Sequence, residues 1–344
     1  MSDEVRVLLA GAGRAGLVHG RNLAGRVPGA RIAVVADPSR QARESAAAQL
    51  GCEKTSADPV AAATSEDVDA VVIASPTFTH ADIAIAALQA GKHVLCEKPL
   101  ASTLEEADAV SAAARASSGR FAMAFMRRFD PGFVRAADRI AAGDIGKPLL
   151  IRATGRGPGL PPEWAWDPRS SGGLIAEVNS HDLDTVRWLS GQEYSAVYAA
   201  GRAAKRPDIA EQHPGFVDVF AATFELDGSG LAQVDGACPA DYGYDARVEV
   251  YGTDGMLLLG GPAATAPVVV TAAGDVTTDA VASWQTLFAE AYRAEDAHLV
   301  GLARGSDEPR ATLDDGIAAL EAVVAANRSM HKGSKIAFEE VTRR

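Results

Sequence analysis

Short apolar runs alternate with alanine-rich amphipathic stretches through the first third of the chain. The runs are Val5–Ala10, Arg31–Ala36, Asp69–Ala74, Lys92–Cys96 and Phe121–Phe125. The first four end in turn formers: glycines, Asp37-Pro38, Ser75-Pro76 and Glu97-Lys98-Pro99. Helical stretches fill the intervals Ala15–Leu23, Arg40–Leu50, Thr79–Ala90 and Leu104–Ala116. Unbroken apolar runs suit strands covered on both faces. Their alternation with helices predicts an α/β unit with a doubly wound parallel sheet.

The rhythm changes beyond Arg127. A helix over Pro131–Ala142 leads to a strand over Leu149–Thr154, then to a proline- and glycine-rich loop, Gly155–Arg169, that carries Trp164 and Trp166. Another helix is predicted from about Gly173 to Leu189. Strands follow over Ser195–Ala203, Phe216–Leu226, Gly230–Ala237, Ala246–Gly252 and Met256–Leu259. Phe216, Phe220 and Phe224 share one parity, as in a sheet with one buried face. Asp227-Gly228 and Asp254-Gly255 are hairpin signals. Helices near Trp284–Leu302 and Asp314–Ser329 close the chain. This half reads as α+β, with an open, largely antiparallel sheet.

At 344 residues the chain exceeds what one core usually organises, so two domains are expected. Apolar residues at 47% and charged residues at 23% exclude a disordered chain. The net charge of −12 argues against nucleic acid or an anionic membrane as partner. Cys52, Cys96 and Cys238 form no C-x-x-C pair and read as reduced thiols. Acidic residues stand where a secretory signal would need basic ones, and no apolar stretch approaches the roughly 20 residues that span a bilayer. A cytoplasmic protein is expected.

Gly11-Ala12-Gly13-Arg14-Ala15-Gly16 fits G-x-G-x-x-G, with a strand before it and a helix after it. Gly11 permits the tight turn, Gly13 lets a pyrophosphate approach the backbone, and Gly16 lets helix and strand pack closely. Asp37, about 20 residues beyond Gly16 at the end of the next strand, is placed for the adenosine ribose. Its carboxylate repels a 2′-phosphate and so favours NAD over NADP, while Arg40 nearby is a possible acceptor for that phosphate.

Lys98, after the fourth strand, stands where ligands bind in open parallel sheets. A lone lysine before a proline is more often a surface residue, and both readings stay open. Glu177, His181 and Asp184 are spaced i, i+4, i+7 and share one helical face. A histidine flanked by carboxylates suits a general base. A solvated polar face carrying an ordinary histidine explains the same spacing.

The GxGxxG segment, Ser75-Pro76-Thr77 with His80, Glu97-Lys98-Pro99 and the Gly172-Gly173…His181-x-x-Asp184 helix together resemble the glucose-fructose oxidoreductase / inositol dehydrogenase / rhizopine catabolism family over nearly the whole chain. The resemblance implies a Rossmann domain over 1–124 and a substrate-binding and oligomerisation domain over 125–344. It adds Arg14, Ala15, Ser75, Pro76, Thr77, His80, Glu97 and Lys98 to the cofactor contacts. It implies that His181 takes a hydroxyl proton while Lys98 hydrogen-bonds the reacting oxygen, with no metal. Glu177 stands where the family usually has Asp.

Within that family, Phe125-Met126-Arg127-Arg128-Phe129-Asp130-Pro131 and Tyr242-Gly243-Tyr244-Asp245 are similar to segments of inositol dehydrogenases. Met126, Arg127, Asn179, Tyr242 and Tyr244 are therefore expected at the substrate, with Trp164 and Trp166 covering a sugar ring or forming an oligomer contact; Tyr242 and Tyr244, which share parity, read equally as an aromatic pair at a sheet end. The histidine those enzymes carry near Gly155 has no counterpart here. The implied activity is NAD-dependent oxidation of a secondary hydroxyl of a cyclitol or similar sugar, by a homodimer or homotetramer joined through the open sheet face. A sugar or nucleotide-sugar oxidoreductase, and a non-catalytic NAD-binding regulator, are the alternatives.

Overall fold

The computed structural model describes residues 4–261, 268–270, 272–273 and 276–342. Its first sheet has six parallel strands: β1 Val5–Ala10, β2 Ala30–Ala36, β3 Thr55–Ser56, β4 Ala70–Ile73, β5 His93–Glu97 and β6 Phe121–Ala124. Their order is β3-β2-β1-β4-β5-β6. The helices between them are α1 Arg14–Gly25, α2 Arg40–Leu50, α3 Pro59–Ala63, α4 His80–Gln89 and α5 Leu104–Ala116. β4 and β6 are buried at every position, as expected for strands covered on both sides. Parallel registers align Ala10 with Ala36 and Ile73, and Ile73 with Cys96. The turns after β1, β2, β4 and β5 therefore share one edge of the sheet, where such folds bind ligands.

Compact units do not follow the contiguous split expected at 124/125. One comprises Met1–Phe129 with Glu290–Leu320, the other Asp130–Ala289 with Glu321–Arg344. The predicted helix over Trp284–Leu302 is broken at Phe288 into α10, Trp284–Leu287, and α11, Ala289–Arg304. α11 belongs to the first unit because Leu299, Val300 and Leu302 enter the same core as Val7, Leu9, Leu23 and Val35. Period-3.6 spacing shows that a helix has an apolar face, but it does not show which core receives that face.

In the second unit α6, Pro131–Ala141, precedes β7, Pro148–Arg156; α7, Pro168–Ser171, precedes α8, Gly173–Ser190. Then come β8 Tyr194–Arg202, α9 Pro207–Gln212, β9 Val219–Leu226, β10 Leu231–Ala237, β11 Asp245–Gly252 and β12 Met256–Gly260. A short ribbon, β13 Val268–Val270 with β14 Val276–Thr278, was not expected. α12, Leu313–Lys332, runs out of the first unit into the second, followed by β15 Ile336–Ala337 and α13 Glu339–Thr342.

The sheet order is β12-β11-β7-β10-β9-β8-β15, antiparallel except for the β10–β7 pair. Strict alternation in β9 buries Phe220, Ala222, Phe224 and Leu226 on one face. Phe216 is buried too but lies ahead of the strand, which starts at Val219. The other face exposes Tyr198, Leu231, Tyr251, Met256 and Leu258.

α8 lies on the buried face, against β7 and β10. Gly155 and Gly236, paired across those strands, make room for it. A Cβ at Gly155 would meet Asp182 Oδ2 at 2.1 Å, and one at Gly236 would meet Asn179 Oδ1 at 2.2 Å. The Asn179 amide donates to Asp235 O at 3.1 Å and to Asp182 Oδ2 at 2.9 Å. Asn179, expected at the substrate, instead fastens the helix to the sheet.

Phe224 is fully buried, with its ring 4.8 Å from that of Tyr194. Phe224→Ala should lower stability by about 3–5 kcal/mol in urea titrations, through lost transfer energy and the cavity left behind. A loss below about 1 kcal/mol would mean that this face of the sheet does not anchor the unit.

Candidate active site

In the first unit the Gly11–Gly16 loop is shaped by backbone proximity. Gly11 adopts φ +102°, and a Cβ there would sit 2.5 Å from the Ala74 carbonyl. A Cβ at Gly16 would lie 2.0 Å from Gly11 O. Gly13 differs: its Cβ would meet nothing within 4 Å, and as N-cap of α1 it supplies no side-chain oxygen to the first N–H groups. An open, uncapped helix N-terminus suits a pyrophosphate, since free N–H groups and the helix dipole both favour negative charge.

Asp37 closes the opposite side. Its Oδ2 accepts from Ala12 N–H at 2.9 Å and its Oδ1 from Ser39 N–H at 2.8 Å. The carboxylate is thus fixed beside the glycine loop, as ribose binding requires. Arg40 pairs with Glu44 at 2.8 Å on the exposed surface of α2, and Arg14 is exposed at the start of α1. Space, free donors and a fixed acceptor together fit a dinucleotide.

Ser75, Pro76 and Thr77 form the turn after β4. Ser75 Oγ lies 2.6 Å from Thr79 Oγ1, which donates to Pro76 O at 2.7 Å. His80 is buried, with Nδ1 2.8 Å from Pro99 O and Nε2 2.9 Å from Ser75 O. Burial lowers its pKa below the ordinary histidine range, against the two carbonyls that favour its charged form. Expected as a cofactor contact, His80 instead ties the β4 turn to the β5 turn. Glu97 is likewise buried and turned inward: Oε2 accepts from Lys98 N–H at 3.1 Å and Oε1 lies 3.2 Å from His19 Nε2. Burial raises the Glu97 pKa, but the hydrogen bond and charge of His19 together with the Lys98 charge and N–H outweigh this and leave it below the usual carboxylate range. Lys98 itself is half-buried at the edge shared by the turns. Met126 and Arg127 are each only 1% exposed, so neither side chain opens to solvent as a substrate contact would.

In the second unit, α8 is continuous through Glu177, His181 and Asp184, which confirms their common face. A solvated face is excluded for two of them, because His181 is 6% exposed and Asp184 is buried; Glu177 is half-buried. The loop ahead of α8 is folded on itself. The Trp166 indole donates to Pro161 O at 3.0 Å and its ring meets His213 edge-on at 5.7 Å, while Ser170 Oγ donates to Trp164 O at 2.8 Å. Trp164 and Trp166 are both half-buried.

The tyrosine pair is not a matched one. Gly243, at φ +126°, turns the chain between the two residues, leaving Tyr242 47% exposed and Tyr244 7% exposed. Tyr242 donates to Asp245 Oδ2 at 2.8 Å, whereas Tyr244 packs edge-on against Phe288 at 6.3 Å. Equal parity predicts a shared direction only within a strand, and both residues precede β11. His19, which has no place in the sequence expectations, touches the Glu97 carboxylate. Its only signal is a histidine on the buried side of α1.

Comparison with known proteins bears on both units. The oxidoreductase-family model described as an NAD-binding Rossmann fold matches residues 5–125, and the GFO/IDH/MocA C-terminal domain matches 133–258. The chain is 36% identical over 339 residues to the scyllo-inositol 2-dehydrogenase (NAD(+)) of Bacillus subtilis strain 168, covering 98% of each chain. It is 30% identical over 338 residues to the myo-inositol 2-dehydrogenase of Thermotoga maritima, covering 98% of this chain and 99% of that one. The crystal structure of scyllo-inositol dehydrogenase from Lactobacillus casei with bound NAD(H) and scyllo-inositol matches with a TM-score of 0.89 at 27% identity, covering 97% of this chain and 99% of that chain.

The contrast between two glycines tests the cradle. Gly13→Ala, at φ −79° with open space around it, should keep the apoprotein melting within about 2 °C of wild type while raising the Kd for NAD about tenfold or more. Gly16→Ala should lower the melting temperature, because its methyl meets Gly11 O. Unchanged NAD affinity in Gly13→Ala, read by quenching of intrinsic fluorescence, would place the pyrophosphate elsewhere.

Proposed function

The chain belongs to the oxidoreductase family that joins an NAD-binding Rossmann fold to a GFO/IDH/MocA C-terminal domain, and from that premise we propose that it oxidises one secondary hydroxyl of an inositol to the ketone. It is an NAD-dependent dehydrogenase. The observation that carries the assignment is the open, uncapped helix N-terminus at Gly13 beside the fixed Asp37 carboxylate, in a chain similar from end to end to inositol 2-dehydrogenases. NAD, when bound, accepts the hydride.

The protein's own part is to hold the hydroxyl and move its proton. His181 is the base, since a neutral imidazole can accept a hydroxyl proton and its place on α8 is fixed by the Asn179 anchor. Glu177, on the same face, sets how that imidazole meets its surroundings. Lys98 hydrogen-bonds the same oxygen and stabilises the negative charge it gains. Of the residues expected at the substrate, Trp164, Trp166 and Tyr242 keep exposed surface: a ring suits the C–H face of a cyclitol, a phenol its hydroxyls.

A cytoplasmic homodimer or homotetramer completes the reading. Its support is the sheet face bearing Leu231, Tyr251, Met256 and Leu258 in one exposed apolar group. Among the described residues no helix is long and apolar enough to cross a membrane.

Asp37→Ser should narrow the ratio of kcat/KM for NAD over NADP by removing a carboxylate that repels the 2′-phosphate. A wild-type preference for NADP would overturn the role given to Asp37.

Lys98→Ala and His181→Ala should each lower kcat on the best inositol by about 10²–10⁴-fold with NAD binding retained. Lys98→Arg should recover little, because a planar fork does not replace a compact ammonium. Near-native turnover in His181→Ala would show that the histidine is only a buried polar residue of α8.

A further inference from the structure

The turn that carries Lys98 is braced from two sides by buried imidazoles. On one side Lys98 N–H donates to Glu97 Oε2 at 3.1 Å, and Glu97 Oε1 lies 3.2 Å from His19 Nε2. His19 Nδ1 is 2.6 Å from Asp296 Oδ1, and Asp296 Oδ2 accepts from Asn22 Nδ2 at 2.8 Å. On the other side His80 holds Pro99 O and Ser75 O. His19 comes from α1, Asp296 from α11 and Glu97 from the end of β5, so three elements of the first unit converge behind the lysine.

A neutral imidazole carries one N–H, yet both nitrogens of His19 face carboxylates, a pattern that only the imidazolium satisfies in full. Burial opposes that charge, but Asp296 and then Glu97 outweigh it and hold the His19 pKa well above the ordinary range. The other groups facing the ring are Asn22, the Tyr292 ring edge-on at 5.3 Å, and Glu295. Glu295 is 0% exposed, and burial pushes its pKa well above the ordinary carboxylate range. Burial raises the Asp296 pKa too, against the His19 and Asn22 contacts that favour its charged form. Without His19 the Glu97 carboxylate loses its fixed partner. Its other oxygen still accepts from Lys98 N–H, but a carboxylate that can rotate no longer fixes the turn from which the lysine extends.

We propose that His19, held by Asp296, is a positioning residue for Lys98, acting through Glu97 to fix the turn that aims the lysine side chain at the reacting oxygen. The proposal rests on the role given to Lys98 above. A double-mutant cycle in the full-length enzyme tests it, because residues that act through one another are not additive. His19→Gln and Asp296→Asn should each lower kcat about tenfold or more in the wild-type background, with Kd for NAD changed less than about threefold. In the Lys98→Ala background the same substitutions should change kcat less than about twofold. A purely structural His19 would lower activity by the same factor in both backgrounds, and that result overturns the proposal.

Leu23→Ala, a core cavity on the same helix, controls for stability: its melting temperature should fall with kcat per bound NAD unchanged. Should His19→Gln fail to fold, Asp296→Asn, nearly the same shape, carries the cycle alone. Independently of turnover, 15N NMR of histidine-labelled protein at pH 8 should show both His19 ring nitrogens protonated; a neutral tautomer would overturn the proposal. If Lys98→Ala itself leaves kcat intact, the role of Lys98 falls. If Lys98→Ala is severe and the His19 effect is additive, only the present inference falls.

Discussion

In each unit, the elements that carry the candidate residues depend on backbones coming closer than any side chain would permit. In the first unit the Gly11 carbonyl lies where a Cβ on Gly16 would be, and Gly11 lies against the end of β4. In the second, α8 rests on Gly155 and Gly236 at a distance that leaves room for the Asn179 and Asp182 side chains and nothing more. Close approach places the first turn of α1 over the sheet edge. It also sets the depth of α8, and with it the position of His181. Only Gly13 stands apart, with open space beside it that fits the proposed pyrophosphate.

Burial of charge is the second theme. Glu97, His19, Asp296, Asp182 and Asp184 are all hidden from solvent. Buried ionisable groups contribute little net stability unless each is matched, because desolvation offsets most of the attraction. Their value here is geometric. Each pairing fixes a carboxylate or imidazole in one orientation, and these orientations propagate to the Lys98 turn and to the α8 anchor. A hydrophobic replacement of the same volume would pack as well and aim nothing.

Much of this was legible in the sequence. Unbroken apolar runs marked β1, β2, β4 and β5, and G-x-G-x-x-G with Asp37 marked the dinucleotide edge. The i, i+4, i+7 spacing put His181 on one face with Glu177 and Asp184. What escaped has a common cause: a sequence records the polarity of a position and not what covers it. The polar residues of α8 look like a solvated face until the sheet and its neighbours bury them. Asn179 looks like a ligand contact until paired glycines draw it onto β7 and β10. The tyrosine pair looks matched until Gly243 turns one ring inward. His19 looks incidental because its partners, Asp296 above all, lie far along the chain.

The return of α11 to the first unit carries a consequence for biosynthesis. Leu299, Val300 and Leu302 are part of the core built around Val7, Leu9 and Val35. As the ribosome releases the chain from its amino end, the nucleotide-binding sheet emerges first but lacks these side chains until some three hundred residues have been made. Loop closure over such a span is slow rather than prohibitive, since its entropy grows only with the logarithm of length. The second unit waits as well, since Glu321–Arg344 brings it β15, which pairs with β8. The amino-terminal unit, although its sheet is made first, is therefore complete only once Leu320 has been made, shortly before the second unit receives its own last residues.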